Sequence, residues 1–311
     1  MKKRRFLVNI LFTSGLLFIL IGLIILRQDD IVTIIHNYIL PRTSTVSLGD
    51  KNSYYRDYDF SFVQNTNDFL PKNYQDILNI YYTAINAGKK EFTFYCPTEY
   101  DECLNDIQRL ANNQTLLSDI NNYVHPFNGF SHIETEYDTL GRVSIRIIKS
   151  YKDDEIKLIE EKVDQLYLEL VNPVSSVEDN IKNIHDYIIN HAKYDSARSN
   201  ENIITYKSNI AYGPLFEGYA ICGGYTDLME LFLEKMDIKS FKVSSDDHVW
   251  NAVFLNNTWY HVDLTWDDPV SKDGKDYLEH HYFLINTRQL LSLEKTQHQF
   301  NTNNYPELKE A

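Results

Sequence analysis

The sequence predicts a globular domain of mixed helices and strands set behind an apolar N-terminal segment. Three observations predict it. Residues 7–26 contain no ionisable side chain. Apolar residues recur with helical spacing over 155–171, 177–191 and 222–236. From about 240 the period becomes the two-residue alternation of strands, with Asn256-Asn257 between two such runs.

The apolar segment comes first. About 20 apolar helical residues cross a hydrocarbon core of roughly 30 Å, and Lys2, Lys3, Arg4 and Arg5 flank the run on one side. Such a cluster stays cytoplasmic, so residues 1–27 are expected to be a basic tip and single-pass anchor, with everything after Arg27 outside the cell membrane. The run is long for a signal-peptide core and ends in Ile-Ile-Leu-Arg-Gln without a small-x-small cleavage site, which favours an anchor over a cleaved leader. Without the five basic residues of this segment the chain has 25 basic and 44 acidic residues, a net of −19. That balance repels phosphate backbones and argues against a nucleic-acid partner. Cys96, Cys103 and Cys222 are the three cysteines. An odd number outside a membrane implies one bond and a free thiol, or three free thiols. Cys96 and Cys103 are close enough in sequence to bridge.

Residues 28–54 have little apolar periodicity and are expected to be a stalk, with a short helix over 31–40. Over 55–150 the patterns predict helices at 73–87 and 101–112, and strands at 91–96, 132–137 and 142–148 with a turn at 138–141. This mixed region bears no chemical motif; it is either a separate small domain or an extension packed on the main one. The main domain is expected over 151–295, leaving 296–311 as a tail. Its two leading helices are separated by Asn172-Pro173, with Ser176 placed to cap the second. Strands follow the Cys222 helix at 240–245, 248–255 and 258–265. No 20- to 50-residue repeat is apparent.

Cys222 stands in Gly218-Tyr219-Ala220-Ile221-Cys222-Gly223-Gly224-Tyr225, at the first turn of an apolar-faced helix. Unpaired backbone N–H groups there favour a thiolate, and the two glycines are expected to leave the sulfur open to a substrate. A free cysteine is more often a small buried hydrophobe, so this segment alone does not decide for chemistry. The hairpin adds to it. Asn tolerates positive φ, and a two-residue Asn link suits a type I′ turn. In that register Leu255 opposes Thr258, Trp250 opposes Asp263 and His248 opposes Thr265. His248, Trp250, Ala252, Phe254, Trp259, His261 and Asp263 then share one face, leaving Val249, Val253, Leu255, Tyr260, Val262 and Leu264 as the core face. His248 and Asp263 become diagonal neighbours at roughly 7–8 Å. A carboxylate so placed fixes the imidazole tautomer, and an imidazolium beside a helix-start thiol activates a nucleophile. A lone His or Asp would be an ordinary structural residue; three correctly typed residues in the order Cys, His, Asp favour catalysis. Metal motifs are absent: there is no CxxC or HExxH, and His280-His281 lack the spacing to share a face. Asp267-Asp268, Asp273-Gly274 and Asp276 fail the EF-hand spacing. No cofactor motif is present.

Residues 177–286 resemble the transglutaminase-like superfamily, particularly its bacterial members. The resemblance is carried by His185-Asp186-Tyr187, Tyr194-Asp195, the Glu217–Tyr225 stretch, His248-Val249-Trp250-Asn251, and Trp259-Tyr260-His261-Val262-Asp263-Leu264-Thr265-Trp266-Asp267-Asp268-Pro269. It implies an α+β fold in which the nucleophile helix packs on an antiparallel sheet, and a papain-like triad of Cys222, His248 and Asp263. The implied activity is acyl transfer from amides through a thioester on protein or peptide substrates, which the anchor would place at the cell surface. A plain peptidase and a non-catalytic binding module are the rival readings. Gly223-Gly224 depart from many relatives, which have a bulkier residue at one of these positions, a change expected either to widen the pocket or to alter specificity. No motif fixes the oxyanion donors; the Cys222 N–H is expected to supply half of the hole, with Tyr212 a weaker candidate for the other half. Trp266 is expected to be structural, Trp250 and Trp259 either to line the cleft or cap the sheet, and His261 either to support the triad or fill the core.

Overall fold

The computed structural model describes residues 46–269, 277–293 and 296–309, with Ile25 and Arg27 as isolated positions. The rest of the apolar stretch 7–26, stalk residues 28–45, Asp273-Gly274 and Asp276 lie outside the described residues. Among the described residues, no helix is long and apolar enough to cross a membrane.

The first part of the chain forms helix α1 (Tyr74–Asn86), strand β1 (Glu91–Tyr95), helices α2 (Cys103–Ala111) and α3 (Gln114–Asn121), and strands β2 (Phe130–Tyr137) and β3 (Arg142–Lys149). Asn73 starts α1 by accepting a hydrogen bond from Asp76 N. The strands form an antiparallel sheet in the order β1-β3-β2. Cys96 and Cys103 are disulfide-bonded, with their Cα atoms 5.7 Å apart, which ties the end of β1 to the start of α2. Cys222 is the free cysteine.

Next come α4 (Asp153–Leu170), α5 (Val177–His191), β4 (Lys193–Tyr194), α6 (Ser196–Glu201), a π-helical turn over Gly213–Glu217, β5 (Tyr219–Ala220) and α7 (Cys222–Lys235). Ser176 caps α5 by accepting from Asp179 N, as its sequence position predicts. Then follow β6 (Ser240–Ser244), β7 (Val249–Leu255), β8 (Thr258–Val262), the four-residue helix α8 (Leu264–Asp267), β9 (Phe283–Ile285) and α9 (Thr287–Leu293). Strands β6-β7-β8-β9 form the second antiparallel sheet.

The β7–β8 hairpin has the predicted register, with Leu255 opposite Thr258 and Asn251 opposite Val262. Asn256 and Asn257 have φ of 50° and 62°, the double positive φ of a type I′ turn. The strand is shorter than expected. It stops at Val262 because the Asp263 carboxylate accepts from Thr265 N and Trp266 N, which starts α8 instead.

Both faces of this sheet are covered, which corrects the expectation of a single core face. Val253, Leu255, Val262 and Leu264 pack in one cluster with Ile184 and Ile188 of α5 and Leu228 and Phe232 of α7. Phe241, Val243, Trp250, Ala252 and Trp259 pack in the other with Ile77, Tyr81, Tyr123 and Ile145 of the first region. Strands apolar on both faces are stable only in the middle of such a sandwich. Residues 296–309 also belong to this body, since Tyr305 and Leu308 are fully buried in the second cluster.

Candidate active site

Cys222 is the first residue of α7, after Ile221 in extended conformation. The chain before it is fixed by Ile221 N donating to Ser208 O at 2.8 Å. This crossing explains the two glycines. A Cβ on Gly224 would lie 2.3 Å from Ser208 O and 3.2 Å from Ile210 O, and one on Gly223 would lie 2.8 Å from Asn209 O. Backbone 208–210 fills the room that was expected to widen the pocket. Gly224→Ala should therefore cost about 1–3 kcal/mol by overpacking, read as a lower urea midpoint, with slower labelling of a displaced Cys222.

His248 lies just before β7 and is buried. Its Nε2 is 2.5 Å from Asp263 Oδ2. Cys222 is near enough to act on the ring, and with Nε2 engaged by Asp263, Nδ1 is the ring nitrogen left for the sulfur. Burial disfavours the imidazolium, but Asp263 and Cys222 outweigh it and push His248 up to about 10. Asp263, 1% exposed, accepts four hydrogen bonds. Oδ1 takes Thr265 N at 3.0 Å and Trp266 N at 3.2 Å. Oδ2 takes the Nε2 atoms of His248 and, at 2.8 Å, His298. Burial would raise its proton affinity, but His248 and His298 hold the carboxyl well below the usual range. His248 and Asp263 therefore meet, at a strand start and a strand end, with Cys222 at a helix start near enough to act on the ring.

The segment that carries them, residues 164–264, matches the model of the transglutaminase-like superfamily. The chain carries a transglutaminase-like domain. Two solved structures show similarity over part of the chain. One, named a TGase, is 14% identical, with 44% of this chain and 45% of that chain covered and a TM-score of 0.34. The other, a candidate cysteine protease from Cytophaga hutchinsonii, is 15% identical, with 43% and 61% covered and a TM-score of 0.28. The match thus spans less than half the length of the first. No curated protein shows significant similarity to the chain.

Further residues hold the Cys222, His248 and Asp263 cluster in shape. His261 accepts from Trp250 Nε1 through Nδ1 at 2.9 Å, so its hydrogen is on Nε2, 2.9 Å from Thr287 Oγ1. Burial and neighbouring His298 push it down to about 3, keeping it neutral. It supports Trp250, which stacks on His248 with ring centres 5.6 Å apart. Trp250 and Trp259 are core residues, 1% and 9% exposed. Trp266 packs on Tyr282 and His298 and donates to Gln297. Tyr212 lies against Phe216 and Lys207. Tyr194 is nearer the chemistry: it pairs with Ala220 across β4–β5, and burial, with the charges of Cys222 and Asp263, raises its phenol.

The His185-Asp186 and Asp267-Asp268 motifs anchor α8. His185 Nε2 is 3.2 Å from Asp267 Oδ2 and its Nδ1 is 2.9 Å from Asp186 Oδ1. Burial opposes a charge on this ring, yet the two carboxylates raise its proton affinity. Tyr282 N donates to Asp267, and the Tyr225 hydroxyl to Asp268. Asp263, at the other end of α8, is thereby fixed from α5, α7 and the approach to β9. Two groups, His248/Asp263/His298 and His185/Asp186/His280, bring possible metal ligands together. A tetrahedral zinc would hold its ligand atoms about 3.3 Å apart. The bonded contacts here are 2.5–2.9 Å, and Lys182 Nζ lies 2.6 Å from Asp186 Oδ2. Those are the distances of charge-assisted hydrogen bonds.

Sequence reasoning missed His298, which lies 35 residues beyond Asp263 in a segment with no periodic signal. Its only signal was its type: a histidine in a polar stretch, indistinguishable from a surface residue.

Proposed function

We propose that the protein is a cell-surface cysteine enzyme that transfers the acyl group of an amide through a thioester. The observation that carries this reading is His248 bonded to the buried, four-bonded Asp263, with Cys222 at a helix start near enough to act on the same ring. Asp263 orients His248 and stabilises its imidazolium, which in turn stabilises a Cys222 thiolate. The thiolate attacks the carbonyl carbon of a glutamine side chain or peptide bond, and the oxyanion meets the Cys222 N–H. His248 then gives its proton to the departing nitrogen, leaving a thioester and free ammonia or amine. Neutral His248 next takes a proton from water or from an amine. The incoming group closes on the carbonyl carbon, and the thiolate leaves as His248 regains its charge. Water makes the reaction a hydrolysis; an amine makes it a cross-link.

The surface location is supported by the basic cluster before the uncharged run 7–26 and by the Cys96–Cys103 disulfide, a bond of oxidising compartments. Envelope proteins and wall peptides are the substrates within its reach. Iodoacetamide labelling at pH 6, followed by intact mass, tests the nucleophile. Cys222 should label about tenfold faster in wild type than in His248→Ala. Equal rates would remove the activated thiol and leave a surface binding module. Incorporation of a small primary amine into a glutamine peptide then separates cross-linking from hydrolysis.

A further inference from the structure

We propose that His298 is a positioning residue that acts through Asp263: its Nε2–H on Oδ2 takes a share of the carboxylate's charge and so sets how tightly the carboxylate holds the His248 proton. This rests on the acyl-transfer reading of Cys222, His248 and Asp263.

The geometry is specific. Ionised Asp263 can only accept, so the His298 nitrogen 2.8 Å from Oδ2 must carry a hydrogen. The same oxygen takes His248 at 2.5 Å, so two imidazoles draw on one lone-pair region. The two rings are nearly perpendicular, at 85°, with their centres 5.4 Å apart. His298 is fully buried in an aromatic box, against Trp250 at 77°, Tyr282 at 22° and Trp266 at 55°. A histidine needed only to fill this box would not have to aim a nitrogen at the carboxylate. The segment bearing it is fastened on both sides, by Trp266 Nε1 donating to Gln297 and by Asn304 and Tyr305 bonding Asp119.

The consequence concerns proton release. A carboxylate that kept its whole charge for His248 would bind that proton tightly, and a general acid–base works best when its pKa is near the working pH. A second N–H donor on Oδ2 weakens the carboxylate's hold. The carboxylate stays in line with His248 without this donor, because Oδ1 is tied to the α8 backbone. The titratable groups around His248 and Asp263 are Cys222 of α7, Tyr194 of β4, His261 of β8, Tyr282 before β9, and His298 itself. Among them, His298 and His248 are the side chains bonded to Oδ2.

The test is the pH dependence of Cys222 alkylation by iodoacetate between pH 5 and 10.5. This anion is attracted by the imidazolium, so the rate falls when His248 loses its proton. In wild type the fall should come at the upper end of the range, in line with a His248 pushed up to about 10. His298→Phe keeps the ring and its packing but removes the donor. It should move the fall upward by about one pH unit, so that the plateau extends through the range. His298→Gln, whose amide can still donate, should restore the wild-type limb. Circular dichroism and a urea midpoint on each variant separate these shifts from misfolding. An unmoved or lowered limb in folded His298→Phe overturns the proposal, as does a His298→Gln profile identical to that of Phe. If His248→Ala leaves the wild-type profile unchanged, the parent reading fails instead.

Discussion

Asp263→Asn should lower turnover by about 10⁴-fold, the scale expected when a triad carboxylate becomes an amide. The cause is the tautomer. An asparagine amide turned toward His248 presents N–H where an acceptor stood, so His248 Nε2 must accept and its hydrogen moves to Nδ1. That nitrogen faces Cys222 and can then no longer take the thiol proton. Acylation by p-nitrophenyl acetate, followed as the burst of p-nitrophenol, measures the loss; a fall of less than tenfold would sink the assigned role of Asp263. The same substitution should alter stability with pH. His248 is raised from 6.5 to about 10 in the fold, so its contribution is full below about pH 6.5 and gone as pH rises through about 10. Asp263 is depressed, so its contribution is present above the ordinary carboxylate range and lost on acidification. Urea midpoints of wild type should therefore decline toward both extremes. In Asp263→Asn both slopes should flatten.

The His248–Asp263 pair and the place of Cys222 at a helix start were legible in the sequence because they lie on elements with strong local signals. Cys222 opens a helix whose apolar spacing is plain, and Asn256-Asn257 fixes the hairpin register that brings His248 to the Asp263 end of β8. The end of β8 was misjudged because the signal that stops it is chemical: alternation continues past Val262, but the Asp263 side chain takes the next two N–H groups. The glycine pair was misjudged because what fills its space is backbone from residues 208–210, which has no pattern of its own. His298 and the cover given by the first region depend on contacts across long separations, such as Asn122 Nδ2 to Tyr305 Oη across 183 residues. Periodicity within a window cannot register these. The aromatic residues Trp250, Phe254 and Trp259 on the face opposite Val253 and Leu255 were the available hint, since a sheet open on that side has no use for them there.

The second large effect is expected far from the chemistry, at the buried pair Arg56–Glu230. Glu230 is on α7, two turns after Cys222, and neither residue exposes more than 2% of its surface. Arg56 Nη2 lies 2.7 Å from Glu230 Oε1, while Nη1 donates to Tyr123 O at 3.1 Å and Ser240 O at 3.3 Å. One guanidinium thus joins the first region, the nucleophile helix and β6. Burial raises the Glu230 carboxyl's proton affinity even beside this cation, a sign of how much desolvation the pair carries. Removing one partner should be much worse than removing both. Glu230→Ala leaves a buried guanidinium with only the longer contact to half-exposed Glu234 Oε2, at 3.4 Å, and should cost about 3 kcal/mol. The double change Arg56→Met with Glu230→Leu removes both charges. Its remaining cost is the Tyr123 and Ser240 carbonyls left without their donor, about 1–3 kcal/mol each at most. Urea unfolding of the two variants decides the matter: a double variant no more stable than Glu230→Ala would show that the pair's value lies in the carbonyl contacts. If the pair also fixes α7, Cys222 labelling should slow in Glu230→Ala and recover in the double variant. The packing of the first region would then reach the nucleophile through the axis of its own helix.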